Sequence, residues 1–227
     1  MIITGEKYEI KKAANIIKNN FKVSKEEPIN YILGIKVKKE DNKYIISQTG
    51  FIEKLLKTVN IKYTRKTNTP CVGDNIISEN NEPFNITTYK SVIGSLIYMA
   101  KCTRPDISFA VGKAAKNSEH PTISDWKKVT HILKYLNTTI DYKICYDGKG
   151  EIIGYTGSDY AGNLKDRKST SGNIILMGNN PICWTSKKQS IVATSTAEAE
   201  YVSTSECVKK ILWIRNILED YSILINQ

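Results

Sequence analysis

Acidic residues stand at two places in this chain where their neighbours are apolar or basic, and each placement asks for a partner. Glu198 and Glu200 lie in T-S-T-A-E-A-E-Y (Thr194 to Tyr201), where the spacing predicts the start of a long helix. Ser195 and Glu198 have the S-x-x-E spacing of a capping box, in which hydroxyl and carboxylate each satisfy an orphan first-turn amide. Steps of three and four from Glu200 give Thr204, Cys207, Ile211, Ile214 and Leu218, a stripe that is apolar after its first two members. Glu200 therefore heads the face expected against the core, where desolvating an unpartnered carboxylate costs several kcal/mol. Two uses are open: complementing the helix dipole together with Glu198, or serving a site built with other residues. The second acid, Asp159, follows an apolar strand start and precedes a Gly-containing basic turn in GYTGSDYAGNLKDRKSTSG (Gly154 to Gly172). Near these acids lie Lys165, Arg167, Lys168, Lys187, Lys188 and the polar Gln189. Lysine and arginine in such loops supply affinity for a nucleic-acid backbone without reading its sequence. Solvated loop charge is the competing reading.

Composition sharpens the second of these uses. The chain has 227 residues, a formal charge of +10 and a pI near 9.2, a balance that favours a polyanionic partner. A lysine- and asparagine-rich bias, visible in Asn19-Asn20, Asn80-Asn81 and Asn179-Asn180, is the alternative source of that charge. The five cysteines are odd in number and lack a C-x-x-C pair, and there are two histidines, which argues against a zinc site and for reduced thiols. No apolar run approaches the roughly 20 residues that span a bilayer. The N-terminus gains charge by Glu6, unlike a signal peptide. An intracellular protein without a membrane partner is expected, with cytoplasm and nucleus not distinguished.

The elements that must position the acids come in two styles. Lys7 to Asn20 reads as a helix with Tyr8, Ile16, Ile17 and the following Phe21 on an apolar face. Asn30 to Lys38 and Lys43 to Ser47 read as a hairpin about Asp41-Asn42, and Gln48 to Val59 as a helix. Lys62 to Pro83 is polar and aperiodic, a linker. Tyr89 to Lys101 and Asp106 to Asn117 read as helices separated at Arg104-Pro105, and Ser124 is expected to cap a third with Trp126, Val129, Ile132, Leu133 and Leu136 buried. His131 falls off that stripe. From Tyr142 the period changes to two: Tyr142 to Tyr146 and Glu151 to Ser158 are expected to flank the turn Asp147 to Gly150. Asn173 to Met177 and Ile182 to Thr185 are expected to form a hairpin, with Trp184 in the core.

These segments resemble copia-type retrotransposon Pol polyproteins. RKSTSG (Arg167 to Gly172), SKKQS (Ser186 to Ser190) and AEAEY (Ala197 to Tyr201) match the family's ribonuclease H pattern in order and spacing, and YKSVIGSLIYMAKCTRPDISFAV (Tyr89 to Val111) matches the segment preceding it. The resemblance covers nearly the whole chain. It implies an α/β fold with α+β segments: a reverse transcriptase palm-end and thumb remnant over 1–70, a linker and small helical connection over 71–150, and a truncated ribonuclease H-like domain over 151–227. Partners would be an RNA/DNA hybrid or other nucleic acid and the remainder of the polyprotein. In the family, two magnesium ions held by a carboxylate cluster activate the water that cuts the RNA strand. The match makes Glu200 a catalytic and magnesium-binding residue, with Glu198 the weaker candidate. The family reads S-D-A-D-W-A-G where this chain has T-G-S-D-Y-A-G from Thr156 to Gly162, so Gly157 occupies the first aspartate position and Asp159 the second. Asp159 is the remaining candidate ligand. The polymerase aspartates would precede Ile2 and the later nuclease aspartates would follow Gln227, so a full two-metal site is doubtful and neither polymerisation nor efficient cleavage is expected. A non-catalytic nucleic-acid-binding or co-opted protein-interaction module is the alternative.

Overall fold

In a computed structural model, residues 2–23, 27–61, 66–71, 80–148, 150–163 and 166–221 are described. The first helix, α1 (Lys7–Asn20), buries only Ala14 and leaves Tyr8, Ile16 and Phe21 exposed. Leu33 and Gly34 both have positive φ, so the expected first strand breaks there into a tight hairpin of β1 (Tyr31–Ile32) and β2 (Ile35–Glu40). Asp41, also at positive φ, turns the chain into β3 (Lys43–Ser47), and α2 (Thr49–Thr58) follows.

The helical segment forms α3 (Ile86–Cys102), a 3₁₀ turn at Pro105–Ile107, α4 (Ser108–Ala115) and α5 (Ile123–Thr138). The break falls at Arg104-Pro105 as its sequence dictates, because proline disfavours helix at the residue before it. The cap of α5 is Thr122, two residues before the expected Ser124. Thr122 Oγ1 accepts from the Asp125 amide, and the Asp125 carboxylate accepts from the Thr122 amide, a reciprocal capping box. Ile52, Leu56, Tyr89, Leu96, Met99, Ile107, Val129, Leu133 and Leu136 meet in one apolar core shared by α2 to α5. Arg104 is buried to 1% exposure at its edge, held by Asp106 and by the Thr139 carbonyl and hydroxyl. His131 lies off the buried stripe, its Nε2 2.9 Å from the Thr69 carbonyl.

The next strand overturns one expectation. β4 (Ile144–Tyr146) does not form a hairpin with the strand after it; it pairs antiparallel with β3, giving a sheet ordered β1-β2-β3-β4. The second sheet is ordered β5-β6-β7, from β5 (Ile152–Asp159), β6 (Thr170–Met177) and β7 (Asn180–Lys188), with α6 (Thr196–Asp220) laid on one face. Trp184 is part-buried on the opposite face, where its indole N–H donates to the Ala100 carbonyl at 2.6 Å and ties this sheet to the end of α3. The described residues are thus a mixed α/β structure with two antiparallel sheets and six α-helices, compatible with an α+β class. None of the described helices is long and apolar enough to cross a membrane.

Candidate nucleic-acid interface

Strand parity decides where the acids point, because successive residues of β5 face opposite sides of the sheet. A Cβ on Gly154 would press on Cys207 and Ile211, and Thr156 Oγ1 lies 2.7 Å from Ser203 Oγ, so the even-numbered positions face α6. Gly157 and Asp159 have the other parity. A Cβ on Gly157 would meet nothing within 4 Å. The Asp159 carboxylate rests on Gly162, where a Cβ would collide with it, so that close approach requires glycine.

Glu200 reaches β5 from the other side. Its Oε1 accepts from the Ser158 amide at 3.1 Å at the free edge of the strand, so the helix and strand that carry the candidate acids are adjacent. The apolar part of the expected face of α6 forms, with Cys207 and Ile214 buried and Ile211 and Leu218 packed beside them, but in the first turns Ala199 and Ser203 are buried and Glu200 and Thr204 are exposed. The cap at Ser195 forms, its side chain accepting from the Glu198 amide, but the Glu198 carboxylate reaches one residue further back and accepts from the Thr194 amide and hydroxyl. Those bonds hold Glu198 below the usual carboxylate range. Glu200 and Asp159 therefore serve different sides of β5. Among the described residues, no three His, Cys, Asp or Glu side chains gather where they could hold a metal ion.

The basic candidates divide. In register across the sheet, Asp159, Thr170 and Lys188 form one row, and Lys188 Nζ pairs with Asp166 Oδ2 at 2.5 Å. That ion pair, first of all its hydrogen bond, lowers the Asp166 pKa. Lys187 is exposed beside Lys188. Lys168 donates to the Ser190 carbonyl, and Arg167 is exposed at a positive φ of 54°. Lys165 lies outside the described residues. Gln189 is not part of an exposed basic surface. It is 4% exposed, and its amide nitrogen donates to Ser171 Oγ and to the Ala199 carbonyl, so it clamps β7 to β6 and α6. Its amide nitrogen is thus satisfied internally, while its Oε1 is buried with no hydrogen-bond partner among the described residues.

Asp159, Asp166, Lys187 and Lys188 form one wall of a groove of about 740 Å³ whose other wall is α4 and α5. Lys113, Lys116 and Lys128 line that second wall, giving five lysines against two aspartates. Burial first, and then the neighbouring Lys188 and Lys113 ammoniums, hold Lys116 below the ordinary lysine range. The α4 and α5 lysines were not evident as site residues from the sequence, because Lys113, Lys116 and Lys128 stand far from Lys187 along the chain and only the tertiary fold brings them together. The available signal was the spacing of Phe109, Gly112, Lys113 and Lys116, which puts a mixed aromatic and basic stripe on one helix face.

Comparison with known proteins bears on what this surface belongs to. No family model and no solved structure matches the chain. It is 34% identical to the retrovirus-related Pol polyprotein from transposon TNT 1-94 of Nicotiana tabacum, over 98% of this chain and 18% of that protein. It is 32% identical to the corresponding polyprotein from transposon RE2 of Arabidopsis thaliana, over 98% of the chain and 16% of that protein. It is also 34% identical to secreted RxLR effector protein 161 of Plasmopara viticola, over 56% of this chain and 90% of that protein. The chain spans less than a fifth of the two polyproteins, with the match running through both of its sheets and all of its helices. On that near-complete match, the chain belongs to the copia-type family of retrotransposon Pol polyproteins.

Proposed function

We propose that this chain is the thumb-to-nuclease portion of a retroelement polyprotein and that it holds nucleic acid without cutting it. In this reading residues 1–70 are the palm end and thumb of a reverse transcriptase, 71–150 its linker and helical connection, and 151–227 a ribonuclease H-like layer. One observation carries it: Glu200 reaches the edge of β5 beside position 157, and position 157 is glycine. A centre that holds two magnesium ions needs several carboxylates converging on one point. Here Glu200 accepts a backbone amide, Asp159 faces the opposite side of the strand, and among the described residues no third carboxylate joins them. The donor set does not fit that centre. Binding has better support, since the groove lysines suit phosphate contacts.

The test is binding of a labelled RNA/DNA hybrid across a salt series. Affinity is expected to fall steeply with salt and to drop in the Lys187→Glu, Lys188→Glu double variant. Salt-independent binding, or no binding at low salt, overturns the reading. Exposed Ile153 and Tyr155 on the edge strand β5 favour a second reading, pairing of this edge with a strand of another copy of the chain. Concentration-dependent self-association lost in Tyr155→Lys would mark that role.

A further inference from the structure

The stripe Phe109, Gly112, Lys113 and Lys116 runs along one side of α4 and all four residues line the groove. Lysines near a helix C-terminus are accounted for by the helix dipole. The dipole does not account for the other half of the stripe. Phe109 is 43% exposed on a helix whose Ala110, Val111 and Ala114 are fully packed, and a Cβ on Gly112 would meet nothing within 4 Å. An accessible aromatic ring thus stands beside a bare stretch of helix, with ammoniums one and two turns away. Across the groove stands Lys188, whose ammonium acts on Lys116. Asp166, paired with Lys188, and Asp159 offset part of the repulsion between these lysines. An aromatic face beside a row of cations is the arrangement that takes unstacked bases of a single strand. A duplex, with its bases stacked inside, offers the ring nothing to stack on.

We propose that this groove binds a single strand of nucleic acid, with one base stacked on Phe109 and the adjoining phosphates passing over Gly112 between Lys116 and Lys188. The site rests on the nucleic-acid-binding reading above and names its strand class and a wall, α4, that the sheet lysines do not supply. Gly112 is part of the device, because any side chain there would project into the strand's path.

The experiment measures binding of a short labelled oligothymidylate and of a blunt RNA/DNA hybrid to the full chain at several salt concentrations. Phe109→Ala is expected to weaken the oligothymidylate about tenfold, the lower part of the range for one lost base stack. Gly112→Leu is expected to weaken it comparably while leaving the melting temperature unchanged or raised, since leucine favours helix over glycine. That second variant separates blocked binding from lost folding. Lys116→Glu is expected to lower the slope of log affinity against log salt by about 0.7, and Lys57→Glu on α2 to leave the Phe109- and Gly112-dependent affinity unchanged. Normal oligothymidylate binding by both Phe109→Ala and Gly112→Leu overturns the proposal and leaves the broader reading standing. Equal loss of hybrid and single strand in Phe109→Ala overturns the assignment to a single strand. Absence of binding to either probe by the unaltered chain overturns the site and the broader reading together.

Discussion

Between α2 and α5 the interior is filled by Ile52, Leu56, Leu96, Met99, Val129, Leu133 and Leu136, whereas beneath α6 the apolar cluster of fully buried residues is Ile175, Cys207 and Ile214. Ile152, Ile182, Cys183, Ile211 and Leu218 pack partly buried against that smaller cluster, and hydrogen bonds close the rest of the space between α6 and its sheet. Ser203 Oγ contacts the Gly157 carbonyl at 2.9 Å and Thr156 Oγ1 at 2.7 Å. Lys210 donates to Asn173 Oδ1 and to Thr185 Oγ1, and Gln189 bridges Ser171 and Ala199. Apolar packing is non-directional and tolerant of sequence, while a polar interior has to be satisfied partner by partner. The helical region therefore works as a scaffold. The sheet region specifies where particular side chains stand, which is what a functional surface needs.

Truncating a side chain in each region tests that contrast, beginning with the largest effect. Leu133 is fully buried, and Leu133→Ala is expected to cost about 2–5 kcal/mol by lost burial and cavity formation, measured by urea unfolding. Ser203→Ala removes almost no volume but strips the Gly157 carbonyl of its hydroxyl partner, for an expected loss of about 1–3 kcal/mol. A neutral Ser203→Ala would show that the polar interior does not hold α6 in place. Trp184→Phe removes the indole bond to Ala100 that joins the two regions and is expected to cost about 1 kcal/mol. Its signature is a split between helical and near-ultraviolet unfolding transitions, and coincident transitions would show that other contacts join the regions. The smallest effect is electrostatic. The Glu198 pKa is depressed in the folded state from 4.5 by its bonds to Thr194. Its contribution is therefore present above pH 4.5 and is lost as pH falls through the lower folded value. Glu198→Gln should flatten the acid limb of a stability profile, and an unchanged limb would assign that limb to other carboxylates, Asp166 among them.

The sequence revealed the regular parts and missed those that depend on distant partners. The break at Arg104-Pro105, the buried stripe of α5 and the cap at Ser195 were legible because proline sterics, helical period and capping act within a few residues. The partner of β4 was not, since pairing Ile46 with Ile144 joins positions nearly a hundred apart and the short loop before β5 suggested the nearer strand. In the first turns of α6 the buried face runs through Ala199 and Ser203, which leaves Glu200 on its flank. Small and polar residues, Ala199 and Ser203, fill the space there and carry no hydrophobic signal. Gln189 looked like a loop residue for the same reason: its burial depends on Ser171 and Ala199, which its neighbours in sequence do not announce. The opposite facing of Asp159 and Glu200 needed the register of β5 against α6.

The most direct measurement of whether this surface holds nucleic acid without cutting it is the fate of the RNA in a labelled RNA/DNA hybrid. The hybrid is incubated with the purified chain and magnesium and resolved by length. Intact RNA at protein concentrations that bind the hybrid fully is the expected result. Fragments that grow with protein concentration and vanish in Glu200→Gln would contradict it, for they would require Glu200 to work in a metal centre that the described residues do not assemble.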